Sequence, residues 1–277
     1  MSGTVLAGVM GWPIAHSRSP ALHGAWLQRH GIAGAYIPLP VRPADLAQAL
    51  RALPALGFAG VNLTVPHKEA AVALVDCLDP TAPRIGSVNM VTVLPDGRLE
   101  GASTDGIGFL ASLKAALPTL PDPNRPVVLL GAGGAARAIA DALIQTGIAR
   151  IRVVNRGAAR ADALAADLGS AIEPWPWALR HVACAGASLL VNTTVLGMVG
   201  SPPLELDLAL LPRDAAVMDI VYAPLETPLL AEARARGHLG IDGLGMLLHQ
   251  ARPAFHRWFG TAPEVDEALR RIVLGAS

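Results

Sequence analysis

The sequence predicts an α/β fold in two parts, and three features carry that prediction. Val127–Leu130 is a fully apolar run that leads straight into the glycine turn GAGGAA, an amphipathic stretch and a second apolar run at Ile151–Asn155. Strand, turn, helix and strand in that order make one parallel βαβ unit. The first hundred residues also alternate apolar runs with helical stretches, but they close on two runs flanking Pro95-Asp96-Gly97, which read as a hairpin and predict a mixed sheet. Between the two patterns, PTLPDPNRP holds four prolines in nine residues and reads as a domain entry. At roughly 100–200 residues per domain, a 277-residue chain fits one large domain or two ordinary ones.

In order along the chain, Leu6–Met10 reads as a strand ending at Gly11. Ser19-Pro20 reads as a helix start, with Ser19 as N-cap and Pro20 in the first helical position, and the helix should stop at Gly31. Tyr36–Leu39 is a second strand, Ala44–Leu53 a second helix and Gly60–Val65 a third strand. A helix from about Lys68 to Val75 should follow Pro66, and another from about Gly106 to Leu117 should precede the proline-rich stretch. Ser188–Val191 and Val217–Val221 continue the parallel rhythm, so a sheet covered by helices is expected there. Two helices, over about 243–258 and 263–274, end the pattern.

Composition removes several function classes. Lysine plus arginine balance aspartate plus glutamate at 22 each, so no basic surface invites nucleic-acid phosphates. Aromatic residues are 4% of the chain, too few for a base-stacking platform. A hydrophobic share of 52% excludes disorder, yet no run of about 18 apolar residues predicts a membrane span. Cys77 and Cys184 form neither a zinc spacing nor a disulfide framework. With no N-terminal targeting pattern, they predict a cytoplasmic protein, and no His/Cys cluster predicts a metal. A homodimer is one assembly compatible with this sequence. Trp175 and Trp177 read as covering a core edge rather than a contact.

Gly131-Ala132-Gly133-Gly134-Ala135-Ala136 fits G-x-G-x-x-A with a strand before it and a helix after it. Gly131 permits the tight turn, Gly133 lets the backbone approach a pyrophosphate, and Ala136 lets helix and strand pack closely. The free N–H groups and partial positive charge of the helix start then face the phosphates. The same glycines also serve a merely structural turn. An NAD site usually carries an acid at the end of the second strand. This chain has Asn155-Arg156 there and Arg160 one turn later. Guanidiniums attract a 2′-phosphate, so NADP is the expected cofactor; the plain alternative is two solvated surface arginines.

Polar groups gather at predicted strand ends in the first part: Ser17 and Ser19, Thr64, Lys68, Asn89 and Asp105. Each has a structural reading of its own, as cap or surface residue. Together they sit where open α/β sheets bind ligands. The segments that carry them also carry a resemblance. They are Ile14–Pro20, Asn62–Lys68, Gly86–Asn89, Thr104–Gly106, Gly131–Ala135, Asn155-Arg156, Asn192–Thr194 with Gly197-Met198, and Asp242–Met246 with Gln250. In this order they resemble the shikimate dehydrogenase family over nearly the whole chain.

The resemblance implies a substrate domain from residues 1–105 plus 243–277, a Rossmann-like NADP-binding domain from 106–242, and an active cleft between them. It implies Lys68 and Asp105 as the catalytic pair, and Ser17 and Ser19 on the substrate carboxylate. Thr64, Asn89, Tyr222 and Gln250 would contact the carboxylate or the ring hydroxyls. Gly131, Ala132, Gly133, Gly134 and Ala135 would form the phosphate turn. Asn155, Arg156 and Arg160 would take the 2′-phosphate end, and Ile220 and Gly243 would line the nicotinamide pocket. Three positions depart from the family's usual pattern: Ser103 stands for Asn, Met90 for Thr, and Gly157 for a frequent Thr.

The implied reaction is reversible reduction of 3-dehydroshikimate to shikimate with NADPH, on the route to aromatic amino acids. A secondary alcohol gives up a hydride from carbon and a proton from oxygen, so the protein must orient the substrate and manage the proton. Two alternatives stand beside it: a quinate/shikimate dehydrogenase using NAD, and a non-catalytic NADP-binding sensor. A sensor should have lost the proton-handling group, yet Lys68 and Asp105 are both present.

Overall fold

The computed structural model describes residues 3–275. The chain forms two compact units, one from the residues up to Asp105 together with those from Leu247 onward, the other from Gly106–Met246.

The first unit is built on six strands: β1 (Val5–Gly11), β2 (Gly34–Pro40), β3 (Phe58–Leu63), β4 (Cys77–Leu78), β5 (Met90–Val93) and β6 (Leu99–Ala102). They are ordered β2-β1-β3-β5-β6-β4. β1 runs parallel to β2 and β3, whereas β5 runs antiparallel to β3 and β6, so the sheet is mixed. Helices α1 (Ser19–Arg29), α2 (Leu46–Ala52) and α3 (Ala82–Ile85) accompany it. Leu46, Leu50 and Leu53 bury against Met10, Val61, Leu63 and Val91 on one side of the sheet. The expected helix over Lys68–Val75 is only a short 3₁₀ turn at Ala70–Ala73. The Lys68 carbonyl accepts from Val88 N (2.9 Å), a partner on the way into β5, so it is not spent on a helical ladder. Ser19 is likewise the first residue of α1 rather than its cap; Arg18 takes the cap position without a side-chain bond.

α4 (Asp105–Ala116) starts on the last residue of the first unit's N-terminal segment and carries the chain into the second, which alternates β7 (Val127–Leu130), α5 (Gly134–Gln145), β8 (Ile151–Asn155), α6 (Ala158–Leu168), β9 (Ile172–Pro176) and α7 (Arg180–Ala183). Then come β10 (Leu189–Asn192), β11 (Ala216–Asp219), α8 (Pro228–Ala235) and β12 (Gly240–Ile241). The order β12-β11-β10-β7-β8-β9 is parallel throughout, and the winding reverses between β7 and β10. That reversal is the point where doubly wound sheets open a crevice for ligands. Trp175 and Trp177 pack at the edge of the core under β7 and β10, with the guanidiniums of Arg152 and Arg180 over their rings.

α9 (Leu244–Phe259) and α10 (Glu267–Gly275) complete the chain. From α9, Phe255 and Trp258 join Trp26, Tyr36 and His23 in an aromatic cluster of the first unit. His23 stacks on Tyr36 at 3.8 Å, is fully buried, and has no hydrogen-bond partner on either ring nitrogen. Burial pushes its pKa down to about 3. The folded protein therefore keeps His23 neutral while the unfolded chain protonates below pH 6.5, so stability falls as pH drops below that value. Between pH 7 and pH 5 the loss from this one group should be about 2 kcal/mol. Urea denaturation at both pH values should show that loss for the natural protein and not for His23→Phe; equal losses in the two would contradict it.

Candidate active site

In the first unit the sheet register assembles the polar residues. Leu63 N donates to Asn89 O (2.9 Å), and Asn89 N donates to Ala102 O (3.0 Å). The ends of β3 and β6 and the start of β5 therefore lie side by side, and Thr64, Asn89 and Thr104-Asp105 emerge together. Lys68 Nζ donates to Asp105 Oδ2 at 2.5 Å, with the lysine side chain 18% exposed and the aspartate 4%. Asn89 Nδ2 donates to Asp105 Oδ1 (2.7 Å), Thr104 Oγ1 (3.0 Å) and Gln250 Oε1 (3.1 Å). Thr104 Oγ1 donates to the Gln250 carbonyl (2.8 Å), which ties α9 to the site. Lys68, Asn89, Asp105 and Gln250, all expected from the sequence, thus form one bonded group.

Ser17 and Ser19 lie next to each other, Ser19 N donating to Ser17 Oγ at 3.3 Å. The Ser19 hydroxyl also bonds the buried Tyr36 phenol. Tyr36 Oη donates to Asn62 Oδ1 (2.8 Å), and Asn62 Nδ2 donates to the Asn89 carbonyl (3.0 Å). A polar chain therefore runs from the two serines to the lysine–carboxylate pair. Tyr36, Asn62 and Thr104 were not singled out from the sequence; the available signal was a polar residue on an otherwise buried strand or immediately after one. Thr64 is half-buried, its methyl close to Gly11. Ser103, where the family usually has Asn, is buried with its hydroxyl unpartnered.

In the second unit the glycine turn follows β7. Gly131 has φ +108°, and a Cβ there would stand 2.7 Å from Thr193 Oγ1, so only glycine fits without strain. At Gly133 nothing stands within 4 Å of an added Cβ, which leaves the backbone before α5 open to a ligand. Ala132 and Ala136 are buried, and Gly134 and Ala135 are half-buried in the first turn. A bare turn leading into a twelve-residue helix fits a dinucleotide's pyrophosphate, which would take the free N–H groups of the helix start. Asn155 ends β8 with Nδ2 donating to Gly157 O (2.8 Å), and Arg156 and Arg160 are exposed just beyond it.

Ile220 follows β11, with its N–H on Asn192 O (3.1 Å) and its carbonyl against Gly243. Tyr222 is half-buried two residues on. Asp219, unremarked in the sequence, is fully buried at the end of β11, and burial pushes its carboxyl up to about 6.

Residues 9–91 match the family model for the shikimate dehydrogenase substrate binding domain. Residues 116–183 match that for shikimate / quinate 5-dehydrogenase, and residues 243–272 that for the shikimate 5′-dehydrogenase C-terminal domain. The chain is 58% identical to the shikimate dehydrogenase (NADP(+)) of Rhodospirillum rubrum over 98% of its own length and 97% of the relative's. It is 55% identical to the enzyme of that name from Paramagnetospirillum magneticum, covering 99% and 100%. Among solved structures, shikimate 5-dehydrogenase of Thermus thermophilus in complex with NADP(H) and shikimate superposes with TM-score 0.85 at 39% identity, covering 97% of this chain and 100% of that one. Quinate dehydrogenase of Corynebacterium glutamicum in complex with NAD gives 0.86 at 34%, covering 98% of each chain.

Proposed function

The chain belongs to the shikimate dehydrogenase family, and from that premise we propose that Lys68 and Asp105 are the proton-handling pair of its reaction. The enzyme is an NADP-linked oxidoreductase that interconverts 3-dehydroshikimate and shikimate in aromatic amino-acid biosynthesis. The observation that carries the pairing is the 2.5 Å contact from Lys68 Nζ to Asp105 Oδ2, flanked by the amides of Asn89 and Gln250.

NADPH, when bound, supplies the hydride. Lys68 then delivers a proton from Nζ to the oxygen that becomes the hydroxyl, and in the reverse direction takes it back. Such general acid–base help contributes roughly 10²–10⁴-fold. Asp105 directs the ammonium and offsets its charge. Ser17 and Ser19 hold the substrate carboxylate, and Thr64, Asn89, Tyr222 and Gln250 orient the carboxylate and ring hydroxyls. Gly131 to Ala135 cradle the pyrophosphate, Asn155, Arg156 and Arg160 take the 2′-phosphate, and Ile220 and Gly243 line the nicotinamide pocket. In this reading residues 1–105 and the C-terminal helices bind substrate, and 106–242 bind NADP.

Among the described residues no helix is long and apolar enough to cross a membrane. Two free cysteines, one of them buried with its thiol pushed up to about 11, support a reducing compartment such as the cytoplasm.

The decisive experiment is steady-state NADP reduction with shikimate and with quinate, repeated with NAD. Shikimate with NADP should give the highest kcat/KM. Preference for quinate with NAD would replace the reading by the quinate one, and no turnover with any pair would leave only a binding protein.

A further inference from the structure

Asp219 stands where three loops of the second unit meet. Its Oδ1 accepts from Val221 N (3.0 Å) and from Asn192 Nδ2 (3.0 Å), and its Oδ2 accepts from Thr227 Oγ1 (2.7 Å). Asn192 in turn donates through Nδ2 to Leu196 O (3.1 Å) and accepts at Oδ1 from Thr194 N (3.0 Å) and Thr194 Oγ1 (2.7 Å). Thr227 caps α8 by accepting from Leu230 N (3.3 Å). A fully buried carboxylate with three donors is costly to place and stiff once placed.

The segment it holds is the Ile220–Val221 peptide. The N–H of that peptide is on Asp219, and the preceding N–H, of Ile220, is on Asn192 O (3.1 Å). Its carbonyl lies against Gly243: a Cβ at Gly243 would be 2.2 Å from Ile220 O and 2.3 Å from Ile220 C. The neighbour of Asn192, Thr193, donates through Oγ1 to Leu130 O (2.7 Å) and closes over Gly131. Two adjacent residues at the end of β10 therefore key both the phosphate turn and the Ile220 loop.

We propose that Asp219, with Asn192, is a positioning residue for the nicotinamide end of the cofactor, fixing the Ile220–Val221 peptide as one wall of that pocket. The inference rests on the reading that Ile220 and Gly243 line the nicotinamide site. It makes the two ends of the cofactor separable, because the 2′-phosphate residues Asn155, Arg156 and Arg160 lie at the end of β8 and just after it, away from these bonds.

The test is titration calorimetry with NADPH and with adenosine 2′,5′-bisphosphate, which carries the 2′-phosphate end and lacks nicotinamide. Asp219→Ala should weaken NADPH about tenfold and leave the fragment within about twofold, a difference a loosened unit as a whole would not give. Asp219→Asn should restore NADPH to within about threefold, since its carbonyl oxygen keeps the Val221 and Asn192 bonds and its NH₂ can donate to Thr227 Oγ1. Equal weakening of both ligands by Asp219→Ala, or of neither, overturns the inference. If that variant does not fold, Asn192→Ala read with the same two ligands takes its place, with the same outcomes. Ile220→Trp separates the two levels. If it leaves NADPH binding intact, the nicotinamide placement itself is wrong; if it weakens NADPH alone while Asp219→Ala does not, only the role of Asp219 falls.

Discussion

Lys68→Ala is expected to lower kcat by about 10³-fold in both directions while changing the KM for shikimate by no more than about threefold. The ammonium is the one proton donor in the bonded group with Asn89, Asp105 and Gln250 that can also give its proton up, the amides being fixed donors. Lys68→Arg should not restore the rate, because a guanidinium keeps the charge but does not release a proton near neutral pH. NADPH affinity, measured by quenching of its fluorescence or by calorimetry, should be unchanged in both variants. Full turnover by purified Lys68→Ala would end the assignment.

The second large effect is on cofactor choice. Arg156→Asp should cut kcat/KM for NADP by about 100-fold and leave that for NAD equal or higher. On the proposed placement, the substitution would remove a charge-assisted bond of about 1.5–3 kcal/mol and turn a carboxylate toward a phosphate. The measurement is the ratio of the two kcat/KM values; an unchanged ratio would show that the 2′-phosphate does not sit there. Gly157 bears on the same corner. A Cβ at this position would meet only Asn155 Nδ2, at 3.9 Å, so the threonine frequent in the family fits without strain.

What could be read from the sequence was what the chain decides locally. The turn at Gly131–Ala136 was legible because strand, glycines and helix are contiguous. The hairpin was legible because Pro95-Asp96-Gly97 has no other use. The Lys68–Val75 stretch was misread because its helical pattern competes with a hydrogen bond from Val88 that a local reading does not see. β9 was missed because Pro174 and Pro176 argue against a strand, yet β9 lies at the sheet edge, where prolines are tolerated. In the site, the individual residues could be named but their bonding could not. Asn89 and Gln250 are 161 residues apart, and the Tyr36–Asn62 link needs β1 to seat β2 and β3 on either side of it. Asp219 was invisible because an aspartate closing an apolar strand looks like an ordinary loop residue until its three donors are counted.

The amide of Asn89 has a consequence of simple arithmetic. Its nitrogen carries two hydrogens, and three oxygens stand within reach: Thr104 Oγ1, Asp105 Oδ1 and Gln250 Oε1. The farthest, on Gln250, receives the smallest share. A polyol that brings a hydroxyl to that oxygen relieves a shortage of protons and displaces no strong bond. Gln250 Oε1 thus favours an O–H donor before any charge is considered.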